Sequence, residues 1–220
     1  MREIRFDPNR QRIEKISGLR YGAIAIDESR GDAAGEPGAA EVLARAAMDA
    51  GLEKFLDREA LAQLRLRCSL ARRVDPSIPE LDDARIEQAL RDAAEGRRSF
   101  DELRSAGVLE LIVAELGGAV AKIDRLAPSH VSLPRRARVQ VHYETDRPPW
   151  IESRMQDFFG WKEGPTVGGE PVVLHLLAPN QRAVQVTTDL AGFWQRHYPA
   201  LRKELMRRYP RHAWPEDPTA

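Results

Sequence analysis

The chain holds 220 residues, 42% of them apolar, with 34 basic and 34 acidic side chains. That is enough for one sizeable domain or two small ones with a real core. The even charge excludes a wholesale basic coat for nucleic acid. The balance conceals a mild asymmetry: residues 1–125 carry 21 basic and 24 acidic side chains, and residues 126–220 carry 13 and 10. The C-terminal half is the one expected to face the more acidic partner.

Cys68 is the single cysteine, so no disulfide within the chain is possible, which fits a reducing compartment. In LRLRCSLARR it stands at helical spacing from apolar neighbours and reads as a small buried hydrophobe rather than a reactive thiol. No apolar run approaches the roughly 18 residues of a membrane span. MREIRFDPNR lacks the apolar segment of a signal peptide. A cytoplasmic protein with no membrane partner is expected.

Residues 1–28 read as a short β-meander. Ile4 and Phe6 alternate with charges, Asp7-Pro8-Asn9-Arg10 suits a turn, and strands follow around Arg12–Ile16 and in YGAIAID. So small a sheet leaves edges open and looks like the end of something larger. SRGDAAGEPG, residues 29–38, has the composition of a linker. From 39 to 127 the period becomes helical. Val42, Leu43, Ala46, Ala47 and Ala50 form one stripe; Leu61, Leu64, Cys68 and Ala71 a second; Ile86, Ala89, Leu90 and Ala93 a third. Ser99-Phe100-Asp101-Glu102 opens a further helix as a capping box. Leu109, Ile112, Val113 and Leu116 continue the pattern until Gly117-Gly118 interrupts it. A helical bundle with a charged outer face is expected.

APSHVSLPRR, residues 127–136, reads as a second boundary. Beyond it lie all four tryptophans. Val139, Val141 and Tyr143 alternate with Arg138, Gln140, His142 and Glu144, the mark of a half-buried strand. WIESRMQDFFG reads as a short amphipathic helix ended by Gly160. PVVLHLL and RAVQVTT flank Ala178-Pro179-Asn180-Gln181 as a hairpin. In the last stretch Thr188 is placed to cap a helix, with Asp189 at the positive end of its dipole. Leu190, Phe193, Trp194, Leu201 and Leu205 should face a core. Pro199 should kink or restart the helix, and Pro210 should stop it. The tail RHAWPEDP is expected to fold back and bury Trp214. The fold class is α+β: meander, helical bundle, then a small strand–helix–hairpin–helix domain over 134–220.

Little of this chemistry is catalytic. None of His130, His142, His175, His197 and His212 pairs with another ligand at metal spacing, and one cysteine cannot build a thiolate zinc site. His175, within an apolar strand, reads as structural. There is no GxxxxGK[ST] loop and no GxSxG elbow. Asp27-Glu28-Ser29 reads as a solvated turn entering the linker. No cofactor and no catalytic residue are assigned. Aromatics interleaved with arginines do suit single-strand binding. The candidate nucleic-acid contacts are Arg136, Arg138, Arg154, Arg182, Arg196, Arg202, Lys203, Arg207 and Arg208. The alternative is that the aromatics are core and the arginines merely solvated.

RPPWIESRMQDFFGWKEGP, then VVLHLLAPNQRAVQVTTDLAGFWQRHYPALRKELMRRYPRHAWPEDP, and more loosely FDPNRQRIEK and YGAIAIDE, resemble the C-terminal region of HrpB-type bacterial ATP-dependent helicases of the DEAH/RHA group. The resemblance is specific over about 134–218. The run between Gly169 and Pro171 is shorter than the family's glycine–glycine–arginine–valine–proline, so that hairpin should begin differently. The resemblance implies an accessory region whose motor lobes, which use ATP and Mg, have no counterpart here. It also implies that the meander ends an OB-like part. Three readings follow. The first is a helicase accessory region working on its motor domains in cis or in trans, with nucleic-acid contacts. The second is a standalone module for single-stranded RNA or DNA. The third is a structural docking domain.

Overall fold

The computed structural model describes residues 2–21 and 24–220. Two compact units are formed, one from Met1–Ala62 with Glu80–Val120 and one from Gln63–Pro79 with Ala121–Ala220.

The first unit opens on an antiparallel meander of β1 (Arg2–Asp7), β2 (Arg12–Tyr21) and β3 (Ile24–Asp32), in that order. Asp7 fixes the first turn by accepting the backbone N–H groups of Asn9 (2.9 Å) and Arg10 (3.2 Å). β3 runs to Asp32, so Asp27–Ser29 lie inside a strand rather than in a turn, and the connecting segment shortens to 33–38.

Helix α1 (Ala39–Ala50) follows. The stripe expected on it divides. Leu43 and Ala47 are buried, joined by Ala39 and Ala44, whereas Val42, Ala46 and Ala50 line an open groove with Ile4 and Phe6. Helix α2 (Arg58–Val74) gives its first residues to this unit and the rest to the other. α3 (Asp83–Ala94) is capped by Asp82 and packs on α1 through Ile86, Ala89, Leu90 and Ala93. α4 (Phe100–Arg104) is capped by Ser99, whose hydroxyl accepts from Glu102 N. The Glu102 carboxylate accepts from the Arg98 backbone N–H at 2.8 Å, one residue earlier than a strict capping box. Phe100 stacks on Phe6 at 4.6 Å and meets Phe55 edge-on at 4.8 Å. α5 (Val108–Glu115) ends where Gly117, at φ 51°, turns the chain into α6 (Ala119–Leu126).

The second unit takes most of α2 and α6. Cys68 and Ala71 are buried on α2, and burial pushes the Cys68 thiol up to about 11. β4 (His130–Leu133) and β5 (Arg136–Gln140) form a hairpin where the sequence suggests only a boundary followed by a strand. The larger correction concerns 150–158. β6 (Trp150–Arg154) is a strand leading into a single 3-10 turn, Met155–Phe158, in place of the expected amphipathic helix. WIESRM alternates with period two, and Ile151, Ser153 and Met155 are the buried set.

The short β7 (Thr166–Val167) and β8 (Glu170–Pro171) turn on Gly168 and Gly169, both at positive φ. β9 (Val173–Leu177) pairs parallel to β6 and antiparallel to β10 (Ala183–Thr187), giving the order β10-β9-β6.

Two helices close the chain, α7 (Leu190–Arg196) and α8 (Tyr198–Arg208), with Pro199 in the first turn of the second. Asp189, not Thr188, is the cap, accepting from Gly192 N at 2.7 Å; Thr187 in turn accepts from Asp189 N. Phe193, Trp194, Tyr198 and Trp214 are all buried. The tail is strapped over α8: Tyr198 Oη donates to Pro215 O, Arg202 Nε to Trp214 O, and Trp214 Nε1 to Tyr209 O.

Candidate nucleic-acid interface

Strand alternation builds one apolar and one mixed face on the β10-β9-β6 sheet. Ile151, Ser153, Leu174 and Leu176 point inward and are fully buried. Trp150, Glu152 and Arg154 of β6, Val173 and His175 of β9, and Val186 of β10 occupy the other parity and retain solvent exposure. Val186 is 49% exposed, unusual for a valine in a sheet and a sign that this face is not covered.

An aromatic stack crosses this face. Trp150 lies between His142, 4.0 Å away at 15°, and His175, 4.8 Å away at 21°. The backbones of His142 and Trp150 exchange two hydrogen bonds, 2.8 and 3.1 Å, which fixes one pair of rings. Trp150 Nε1 donates to Glu144 Oε1 at 2.9 Å, and Arg147 Nη1 donates to Glu144 Oε2. Just before this strand, Gln63 takes both backbone groups of Tyr143, donating to its carbonyl and accepting its N–H. The Tyr143 hydroxyl donates to Pro128 O at 2.6 Å, and burial holds its pKa well above the usual range.

The nine candidate cations separate by what they already hold. Arg136 Nη1 donates to the buried Ser153 Oγ (3.1 Å), and Ser153 donates to Asp157 (2.6 Å). Arg196 Nη2 is 2.6 Å from Asp189, whose carboxyl is held below its usual range first by the Gly192 N–H and then by this guanidinium. Arg202 is tied to the tail through Trp214 O and, at 3.8 Å, Glu216. Arg208 lies over the Tyr209 ring at 5.6 Å. Arg138, Arg154, Arg182, Lys203 and Arg207 are exposed and have no ion-pair partner among the described residues.

Two of these five share one end of the sheet. Leu177 faces Arg154 on one side and Ala183 on the other, so Arg154 and Arg182 flank the same end of the sheet, two strand spacings or about 10 Å apart. Lys203 and Arg207 share a face of α8 at a spacing of four residues. Arg138 stands near His130, whose pKa is lowered by partial burial first and by the charges of Arg138 and Arg67 next. Among the described residues no three His, Cys, Asp or Glu side chains are placed to hold a metal ion, and no helix is long and apolar enough to cross a membrane.

Of the aromatics of 189–218, Phe193, Trp194, Tyr198 and Trp214 are core and Tyr209 is half-buried. The half-buried ring system of the sheet face comes from His142, Trp150 and His175. Its signal lay in the alternation of WIESRM and VVLHLL.

A family model described as ATP-dependent helicase C-terminal, HrpB_C, matches residues 89–218. The chain is 36% identical over 179 residues to the ATP-dependent RNA helicase HrpB of Escherichia coli (strain K12), an alignment covering 77% of this chain and 22% of that protein. The crystal structure of the E. coli DExH-box NTPase HrpB superposes with a TM-score of 0.78 at 31% identity, over 99% of this chain and 28% of that one. A crystal structure of the Escherichia coli DEAH/RHA helicase HrpB gives 0.70 at 28% identity, over 97% and 28%. The chain thus spans between a fifth and a third of the length of these relatives.

Proposed function

The chain belongs to the HrpB-type ATP-dependent helicase C-terminal family, and from that premise we propose that it is an accessory region working with helicase motor domains, in cis or in trans, that contacts single-stranded RNA or DNA. The observation carrying this reading is the partly exposed β10-β9-β6 face, with a ring stack towards the start of β6 and Arg154 and Arg182 at the opposite end of the sheet. A base adds to the end of such a stack, and stacked bases contribute about 1–3 kcal/mol each without sequence preference. The two guanidiniums at the sheet end take adjacent phosphates. Arg138 extends the basic surface, Lys203, Arg207 and Arg208 lie apart on α8, and Arg136, Arg196 and Arg202 mainly brace the fold. ATP and Mg belong to the motor lobes in this reading, and the 220 residues contain no GxxxxGK[ST] loop.

A docking role is favoured for α7 and α8, whose aromatics are consumed in the core and whose Met206 is 45% exposed. One titration separates the two roles. A labelled single-stranded RNA should bind the chain at about 50 mM salt and weaken steeply by about 200 mM, with a log–log slope near −0.7 per neutralised phosphate. The double variant R154Q/R182Q should flatten that slope while K203Q/R207Q leaves it nearly unchanged. Equal effects of both pairs would extend the RNA contact to α8, and no RNA binding by the folded chain would leave docking as the function.

A further inference from the structure

The apolar arc of α1 is wider than its cover. Leu43 and Ala47 are fully buried, with Ala39 and Ala44, and α1 packs on α3. Val42, Ala46 and Ala50 follow one another at single-turn spacing beside this covered side and are only half-buried. Ile4 and Phe6, which share one parity of β1, are also half-buried and complete the walls of a groove with them. The groove measures about 990 Å³ and lies wholly within the first unit.

The rim of this groove is acidic. Its carboxylates are Glu3, Glu36, Glu41 and Asp49, against the cations Lys15 and Arg45, an excess of two negative charges. Both cations are already engaged: Lys15 pairs with Glu36, and Arg45 Nη1 stands 3.8 Å from Glu87 of α3. Glu3 accepts from Arg5 at 2.9 Å. Glu41 and Asp49 are exposed and have no ion-pair partner among the described residues. They stand four residues before and after Arg45, so this ionic row runs along α1 directly beside the apolar row of Val42, Ala46 and Ala50.

An apolar floor beside unpaired carboxylates narrows the occupant. The half-buried walls gain stability when a complementary apolar surface displaces their water. The excess negative charge repels phosphate, so a polynucleotide or an anionic lipid surface does not suit this rim, and a cation-bearing surface does. Ala46 and Ala50 are small enough for a partner's side chains to approach the α1 backbone. With 12 residues, α1 is about 18 Å long, which matches about three turns of a partner helix. We propose that the groove docks a basic amphipathic protein segment, its apolar stripe on Ile4, Phe6, Val42 and Ala46 and its Lys or Arg side chains on Glu41 and Asp49. The groove shares no residue with the β10-β9-β6 face, so this docking and the sheet-face reading stand or fall separately.

The test uses the full chain and a labelled synthetic helix of leucine and lysine with its leucines in heptad spacing, compared with the same helix carrying glutamate for lysine. Anisotropy reads affinity, and methyl resonances read the place of binding. The lysine helix is expected to bind, to shift the methyl signals of Ile4, Val42 and Ala46, and to weaken between about 50 and 200 mM salt. The glutamate helix should not bind. E41Q/D49Q alters two exposed side chains and should weaken the lysine helix severalfold. Ala46→Gln places a polar side chain on the floor and should remove the methyl shifts of Ile4 and Val42; a thermal melt confirms that both variants fold. No response to the lysine helix, methyl shifts only outside the groove, equal binding of the two helices, or binding that survives unchanged in either variant overturns the proposal. Sedimentation of the chain alone covers the other occupant. A dimer that excludes the lysine helix and dissociates in Ala46→Gln assigns the groove to a second copy and overturns it too.

Discussion

Trp150 and His175 stack across neighbouring parallel strands with ring centroids 4.8 Å apart, although the strand register pairs His175 with Glu152. The diagonal contact, completed by His142 on the other ring face at 4.0 Å, makes a three-ring plate on a sheet that is otherwise apolar inward. Removing one ring should cost about 0.5–1.5 kcal/mol, the range of an aromatic pair beyond its buried area. His175→Ala is therefore expected to lower the melting temperature slightly while weakening RNA binding severalfold. A denaturant melt and an anisotropy titration on the same preparation check both halves.

Trp194 is a different kind of tryptophan. It is 5% exposed, surrounded by Phe193, Phe159 and Tyr198 at 5.0, 5.9 and 5.3 Å, and its Nε1 donates to Trp161 O at 2.8 Å. Trp194→Ala should cost about 3–5 kcal/mol of stability. Urea unfolding measures it, and a loss below about 1 kcal/mol would show that the ring is not core.

Asp75 gives a pH signature. The Ser77 hydroxyl at 2.6 Å, then Lys122 Nζ at 2.9 Å and the Ser77 N–H at 3.0 Å, lower its carboxyl from 3.8 to about 2. A depressed folded-state value means the stabilisation is fully present above the unfolded value and is lost as pH falls through the folded one. Melts between pH 2 and 5 should thus show a decline that flattens in Asp75→Asn, with the two proteins converging at the acid end.

Cys68 should be silent. Burial raises its thiol to about 11, so at pH 8 almost none is thiolate. Alkylation by iodoacetamide is expected to be negligible in the folded chain and rapid in urea, as read by intact mass.

Much of this architecture was legible because periodicity reports burial. The α3 stripe from Ile86 to Ala93, the Ser99 cap, the Gly117 break and the β9–β10 hairpin follow from spacing alone. Two of the readings that failed show the physical reason clearly. The β6 segment combines period-two alternation with bulky residues that also suit one helical face, and its parallel pairing with a strand about twenty residues on has no local signature. Thr188 and Asp189 are both good caps, and the choice depended on Thr187, which already accepts from Asp189 N. The site was less visible than the fold. Interleaved aromatics and arginines at 189–218 suggested a grip, yet a helix pair must bury large rings somewhere, and Phe193, Trp194, Tyr198 and Trp214 are buried. His142, Trp150 and His175 come together only through sheet register.

The most direct test of the account is photocrosslinking. A single-stranded RNA carrying 4-thiouridine would be bound to the chain at low salt, irradiated, and the attached peptides mapped by mass spectrometry. The account predicts crosslinks on the peptides of β6 and β9 that carry Trp150 and His175, reduced in R154Q/R182Q. Crosslinks confined to α7 and α8, with none on either strand, would contradict it.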